Sequence, residues 1–204
     1  MSLTLRAMAL LLFVSVCSQA ETRRLALYAG SAPGLDAESR SAMRAEVQRL
    51  LAPAGIEVFW KDMADRKTGE DFELIAVASF EGSCSPSGMM STPVTVKLAD
   101  TSITDGHILP FFRVDCTRVV QLLDSQLQSS MLGRALGRVI AHEIYHIISH
   151  TAEHHDTGVA KAVFSARDLK DARFEFDPVS LGRMGAPPVT GFSDGSDGSD
   201  ASSR

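Results

Sequence analysis

The sequence predicts an α+β domain in which a small, mixed and twisted sheet packs against helices. Short segments rich in β-branched and aromatic residues alternate with segments of helical periodicity. One helical segment, residues 130–149, is much longer than the others and mostly apolar. The chain is 45% hydrophobic, enough apolar material for one core. We therefore expect a single domain over residues 21–190.

Residues 1–20 have the layout of a secretory signal peptide. Arg6 precedes an apolar run over residues 7–16, and small residues follow as far as Ala20. The run is too short to span a bilayer, and no later segment is long enough either. We expect cleavage near Ala20, export to the periplasm or the medium, and no membrane span in the mature chain. The alternatives are a buried N-terminal helix and a lipoprotein signal ending at Cys17, which the bulky Val16 disfavours.

Cysteine usage agrees with export. Cleavage removes Cys17 and leaves Cys84 and Cys116, and an even pair in an exported protein predicts a disulfide. Such a bond would stabilise the fold by about 3 kcal/mol because it closes a long loop. The alternative is a free Cys84 that serves as a thiolate metal ligand.

The first half of the domain alternates strands with one helix. We predict a strand over residues 23–30 and a half-buried strand at IEVFW, residues 56–60. A third strand, residues 72–80, is dense in β-formers and is expected at the centre of the sheet. Between the first two strands, Asp36 caps a helix that Pro53 and Gly55 end, and its apolar positions recur at helical spacing: Met43, Val47, Leu50 and Leu51.

The second half begins with a Ser/Gly/Pro-rich loop, residues 82–93, followed by weaker strands at 94–98 and 107–114. Pro110 favours an edge position or a bulge for the second of these strands, because proline lacks the N–H that a central strand donates. A short helix over 117–126 precedes the long helix, residues 130–149.

Three further predictions concern the start of the long helix and the C-terminal part of the chain. Ser129 or Ser130 is expected to cap the long helix. Ser165 and Asp168 have the spacing of a capping box that starts another helix. Residues 191–204 are a Ser/Gly/Asp tract without apolar anchors, for which we predict a disordered tail.

The long helix carries the motif HEIYH. His142 and His146 are four residues apart and therefore project from one face of the helix, where two neutral imidazoles can share a Zn²⁺ ion. Glu143 lies beside them and can accept a proton from water. This is the HExxH signature of metallohydrolases.

A catalytic zinc generally has three protein ligands and one open position. His150 continues the spacing, but on a continuing helix it would lie about 12 Å along the axis from His142, too far to share an ion. We therefore expect the third ligand where the chain turns back, with His154 preferred and His155 as the alternative. Carboxylates further on are weaker candidates: Asp156, Asp168, Asp171 and Glu175.

HEIYH with a further histidine soon after resembles the zincin metallopeptidases, especially their metzincin-like branch. The run over residues 132–169 also looks like a group of largely uncharacterised exported bacterial zincin-like proteins. The metzincin pattern HExxHxxGxxH would place glycine at 149 and histidine at 152, where this chain has Ser149 and Ala152. Metzincins also place a methionine below the zinc, for which Met184 is the candidate.

The resemblance implies a zincin-like fold and a zinc metallopeptidase with Glu143 as general base. The ligands expected for its Zn²⁺ from the residues themselves are His142, His146 and His154. An extended peptide or protein substrate would pair with the strand at 107–114, taken as the sheet edge. The formal charge of −5 and the lack of a basic stripe argue against nucleic acid as a partner. We expect a monomer. The alternative is a non-catalytic metal-binding or disulfide-tied binding module of the cell envelope.

Overall fold

The computed structural model describes residues 22–62, 64, 70–85, 97–123 and 128–185. Within these residues the strands are β1 (Arg23–Ala29), β2 (Ile56–Asp62), β3 (Leu74–Glu81), β4 (Ala99–Thr104) and β5 (His107–Asp115). The α-helices are α1 (Ala37–Leu51), α2 (Cys116–Leu123), α3 (Ser129–Ser149), α4 (Ala166–Lys170) and α5 (Pro178–Gly185). The predicted signal peptide, residues 1–20, and the predicted tail, residues 191–204, lie outside the described residues.

The five strands form one mixed sheet in the order β2-β1-β3-β5-β4. The pairs β1–β2, β1–β3 and β3–β5 are parallel, and β4 pairs with β5 in the antiparallel direction. β3 occupies the central position, as the sequence predicts. The predicted mixed sheet with packing helices is therefore confirmed.

The prediction that residues 107–114 form the sheet edge is wrong, because β5 pairs with β3 on one side and with β4 on the other. The other position predicted for Pro110, a bulge, agrees with the pairing. The β4–β5 register shifts between the pairs Thr101↔Phe112 and Ile103↔Ile108, and the pairing of β5 with β3 begins only at Phe111. The missing N–H of Pro110 therefore falls where no β3 ladder bond is needed.

The strand predicted at residues 94–98 is displaced toward the C-terminus. Lys97 and Leu98 precede the strand, which begins at Ala99, while residues 94–96 lie outside the described part of the chain. β4 is therefore the antiparallel edge strand of the sheet.

Helices α1 and α3 pack against each other over the core face of the sheet. Asp36 caps α1, as predicted, by accepting a hydrogen bond from the backbone N–H of Ser39. The predicted serine cap of α3 is wrong, because Gln128 occupies the cap position without a side-chain bond. The hydroxyl of Ser129 instead donates to the second oxygen of Asp36 at 2.8 Å, which joins the starts of the two helices.

Two glycines on α3 allow the close approach of α1. A β-carbon at Gly133 would lie 2.2 Å from the carbonyl oxygen of Ser39 and 2.7 Å from Cβ of Ala42. One at Gly137 would lie 2.8 Å from Cβ of Glu46. Because the atoms at these distances belong to the backbone or to packed side chains, a methyl group at either position would displace α1, and both positions favour glycine.

Replacing Gly133 by alanine is expected to lower the free energy of unfolding by about 1–3 kcal/mol, because the added methyl forces the two helices apart. Gly182→Ala is the matched control, since a β-carbon there meets no atom within 4 Å and alanine favours a helix. Urea denaturation of both variants checks this. Equal midpoints for the two variants would contradict the close-packing explanation.

A disulfide joins Cys84, just after β3, to Cys116 at the start of α2, with Cα atoms 4.7 Å apart. The predicted pairing is therefore confirmed, and the alternative of a free Cys84 thiolate ligand is wrong. Among the described helices, none has the length and hydropathy needed to cross a membrane.

Candidate metal centre

Helix α3 places two histidines and a glutamate at the base of a cleft. His142 and His146 are only 8% and 6% exposed, and Glu143 is 5% exposed. These residues lie on a helix that is buried almost throughout its second half, where the apolar neighbours Ile140, Ile144 and Ile147 pack into the core. A helix so tightly packed holds its side chains in fixed directions.

Backbone carbonyls orient both imidazoles in the same way. Nδ1 of His142 lies 2.7 Å from the carbonyl oxygen of Val159, and Nδ1 of His146 lies 2.7 Å from that of Thr151. A carbonyl oxygen only accepts, so each Nδ1 carries the proton. Both Nε2 atoms are then unprotonated, and they face each other at 3.0 Å. Two lone pairs directed at one point make a pair of ligands for a cation.

His154 supplies the third imidazole. α3 ends at Ser149. The capping residue His150 adopts a left-handed conformation with φ 47°, so the chain turns back instead of continuing the helix. The side chain of His154 then comes to the two helical histidines, and one ring nitrogen of each lies within 4.8 Å of the others. His154 stacks on His142 with ring centroids 5.2 Å apart. Among the described residues, these three histidines form the one cluster with metal-ligand geometry.

The charge state of the cluster suits a metal ligand. Burial, followed by the neighbouring His146, lowers the pKa of His142 to about 3. Burial also lowers the pKa of His146. His154 is more exposed, and partial desolvation of its ring lowers its pKa as well. Neutral imidazoles have a free lone pair, so no proton has to leave before a cation binds.

Glu143 points into the cleft beside the histidines. Burial raises the pKa of its carboxyl to about 7, against the opposing effect of a hydrogen bond from Thr101. The hydroxyl of Thr101, on the edge strand β4, lies 2.5 Å from Oε2 of Glu143. A carboxyl with a pKa near neutrality is suited to both accepting and donating a proton.

The cleft has a volume of about 340 Å³ and lies between β4 and the start of β5 on one side and residues 161–164 on the other. His142, Glu143, His146 and His154 form part of its lining. Two apolar side chains on the opposite rims, Ile103 and Val163, are each about half exposed.

The other candidate ligands lie outside the three-histidine cluster. Nδ1 of His155 lies 3.1 Å from a carboxylate oxygen of Asp177. Asp168 pairs with Lys161 at 2.5 Å and caps α4 together with Ser165, which confirms the predicted capping box. Glu175 is exposed and pairs with Arg49. Asp156 and Asp171 are exposed and, with His150, lie outside the cluster.

Asp177 has an unusually stable negative charge. Partial burial would raise the pKa of this carboxyl, but hydrogen bonds from the hydroxyl and backbone N–H of Ser180 and from His155 outweigh burial and hold the pKa at about 2.

Tyr145 is fully buried, with its hydroxyl 3.4 Å from Nε2 of His155. Met184 is also fully buried, on α5, and its carbonyl oxygen accepts a hydrogen bond from Arg23.

Several residues that shape the site were not anticipated. The carbonyls of Thr151 and Val159 have no signal in a sequence, because every residue carries one. Thr101 resembles any other polar residue of an edge strand. The Asp177–Pro178 pair did contain a signal: an acidic N-cap followed by proline at the first helical position predicts the start of α5.

No protein-family model and no curated protein matches this chain. Among solved structures, the chain is similar to the crystal structure of archaemetzincin from Methanopyrus kandleri, with a TM-score of 0.45 and 15% sequence identity. The similarity covers 83% of this chain and 96% of that chain. At this level of similarity, conclusions about function depend on the geometry of the site itself.

Proposed function

We propose that the protein is an exported zinc-dependent metallopeptidase of the zincin type. One observation carries the proposal: two imidazoles of α3 have their protons held by backbone carbonyls and direct unprotonated Nε2 atoms at each other at 3.0 Å. A third histidine and a buried glutamate complete the group.

The donor set fits a zinc ion. In the absence of a cation, two facing lone pairs in a buried site are unfavourable, because neither nitrogen can donate a hydrogen bond to the other. Three neutral imidazoles with a nearby carboxylate that is not a ligand match the donors of catalytic zinc sites. Metal-bound histidines generally donate their other ring N–H to a backbone carbonyl or a carboxylate, as Nδ1 of His142 and of His146 does here.

The chain's own residues supply the acid–base chemistry. A zinc ion, when bound, lowers the pKa of water and polarises a carbonyl. Glu143 accepts the proton of the attacking water and delivers it to the departing amine, for which a pKa near 7 is suitable. Thr101 holds one oxygen of Glu143, which leaves the other oxygen to reach the water.

The edge strand supports a peptide as the substrate. β4 borders the cleft and carries Thr101 beside Glu143. β4 is the edge strand among the described strands, and an edge strand is the kind of element to which an extended peptide can be added. The peptide-pairing role that the sequence predicts for residues 107–114 is therefore proposed for Ala99–Thr104. The disulfide supports export, because such bonds persist in oxidising compartments.

Zinc content tests the proposal. Purified protein is expected to hold about one zinc per chain by elemental analysis, and His142→Ala, His146→Ala and His154→Ala should each lose most of it. His107→Ala is the matched control, because His107 is exposed on the β4–β5 hairpin. A wild-type chain that neither contains nor takes up zinc would refute the proposal. Full zinc with no hydrolysis of any peptide would support the non-catalytic alternative.

A further inference from the structure

The turn between α3 and α4 organises the whole three-histidine cluster. Residues 151–160 contribute His154 and also the two carbonyls, of Thr151 and Val159, that orient the imidazoles of α3. A displacement of this turn would therefore disturb all three histidines together.

The backbone of the turn is held at its C-terminal end. The N–H of His155 donates to the carbonyl of Ala160 at 2.9 Å, and the N–H of Val159 donates to that of Glu175 at 3.0 Å. Gly158 has φ 67°, and a β-carbon there would lie 2.5 Å from the carbonyl oxygen of Glu175. These contacts fix residues 158–160 and the backbone of His155, and the N–H of Thr151 donates to the carbonyl of His146 at 3.2 Å. Between these two points, the segment that carries His154 is held by side chains, such as the hydroxyl of Thr151, which accepts from the N–H of Glu153.

His155 makes those side-chain contacts. Its Nδ1 lies 3.1 Å from Oδ2 of Asp177 and 3.1 Å from Oγ of Ser180, and its Nε2 lies 3.4 Å from the hydroxyl of Tyr145. Ser180 donates its own proton to Oδ2 of Asp177 at 2.6 Å. An ionised carboxylate only accepts, so Nδ1 of His155 carries a proton and donates to Asp177.

The hydrogen bonds of His155 connect the turn to two rigid elements. Tyr145 lies on α3, between the two helical histidines, and Ser180 lies in the first turn of α5. Oδ1 of Asp177 accepts from the backbone N–H groups of Val179 and Ser180, which fixes the carboxylate at the start of α5. His155 is thus held from both sides by groups that are themselves immobilised.

The geometry points to His155 as a positioning residue that keeps residues 151–155 in place and so directs His154, its neighbour in sequence, at the other two histidines. This role rests on the proposed zinc site and assigns to His155 a function distinct from that of a ligand. His154 and His155 are consecutive in the chain, so anchoring His155 on Asp177 restricts the directions that the side chain of His154 can take. Residues of this kind generally change metal affinity about 10–100-fold when they are replaced.

Two substitutions at one position separate this role from simple packing. His155→Phe retains a ring against Tyr145 but removes both hydrogen-bonding nitrogens. His155→Asn is smaller, yet its amide N–H group can take the place of Nδ1 and donate to Asp177. Zinc dissociation constants are measured on the full chain by competition with a chelator, at a temperature where circular dichroism shows each variant folded.

We expect one zinc per chain in both variants, a dissociation constant raised about 10–100-fold in His155→Phe, and a value within about threefold of wild type in His155→Asn. Hydrogen exchange of the zinc-free protein should be faster over residues 151–156 in His155→Phe than in wild type. If His155→Phe does not fold, Ser180→Ala is used instead. It removes the hydroxyl that contacts His155 and Asp177, and it should also raise the dissociation constant for zinc.

An unchanged dissociation constant in His155→Phe would overturn the positioning role and leave the zinc site intact. Equal weakening by phenylalanine and asparagine would also overturn it, because rescue by the N–H donor would be missing. Absence of zinc from the wild type would overturn the proposed function itself, and this inference with it. The experiment therefore distinguishes the two failures.

Discussion

Glu143→Gln is expected to reduce peptide hydrolysis by about 10²–10⁴-fold, because glutamine retains the shape of the side chain but cannot accept the proton of the attacking water. Zinc content should stay near one per chain, since Glu143 lies outside the three-histidine cluster. Hydrolysis is measured with labelled casein and with a mixed peptide library, and zinc is measured on the same samples.

Glu57→Gln is the matched control, because Glu57 is an exposed glutamate on β2, remote from the cleft. It should retain the hydrolysis rate of the wild type. A Glu143→Gln variant with full activity would show that another group accepts the proton. A variant that has lost zinc as well as activity would show that Glu143 binds the metal.

The second large effect concerns the stability of the contact between α1 and α3. Arg138 is 1% exposed and donates at 2.7 Å to Glu46, which is 5% exposed, and also at 2.7 Å to the carbonyl of Asp168. Glu46→Met would leave the guanidinium buried without a counter-charge. We expect the free energy of unfolding to fall by about 3–5 kcal/mol, as measured by urea denaturation.

Arg49→Met is the control for this change. Arg49 also pairs with Glu46, but its side chain is 39% exposed, so its loss is expected to cost at most about 1 kcal/mol. Glu46 keeps its buried partner in that variant. Equal losses in the two variants would mean that the buried pair with Arg138 contributes no more than the exposed one.

Local periodicity was sufficient to predict α1, α3 and the first three strands, because the spacing of apolar side chains within one element determines which face is buried. The neighbours of a strand are not encoded in its own residues. Pro110 alone is therefore compatible with either an edge strand or a bulge. The pairing of β5 with both β3 and β4 excludes the edge position and leaves the bulge. α5 was missed although Asp177–Pro178 marks its start.

The site follows the same division between local and long-range information. His142, Glu143 and His146 could be predicted together because one helix determines their relative positions. The choice between His154 and His155 depends on a chain reversal at His150 and on Asp177, which lies 22 residues after His155. No pattern within HTAEHH contains that information.

X-ray absorption at the zinc edge tests the central claim most directly, since it reports the atoms that surround the ion. For the zinc-loaded protein we predict scattering from three imidazoles with zinc–nitrogen distances of about 2.0–2.1 Å, and from two imidazoles in His154→Ala. Coordination by oxygen atoms alone, or an unchanged histidine count in His154→Ala, would contradict a centre built from His142, His146 and His154.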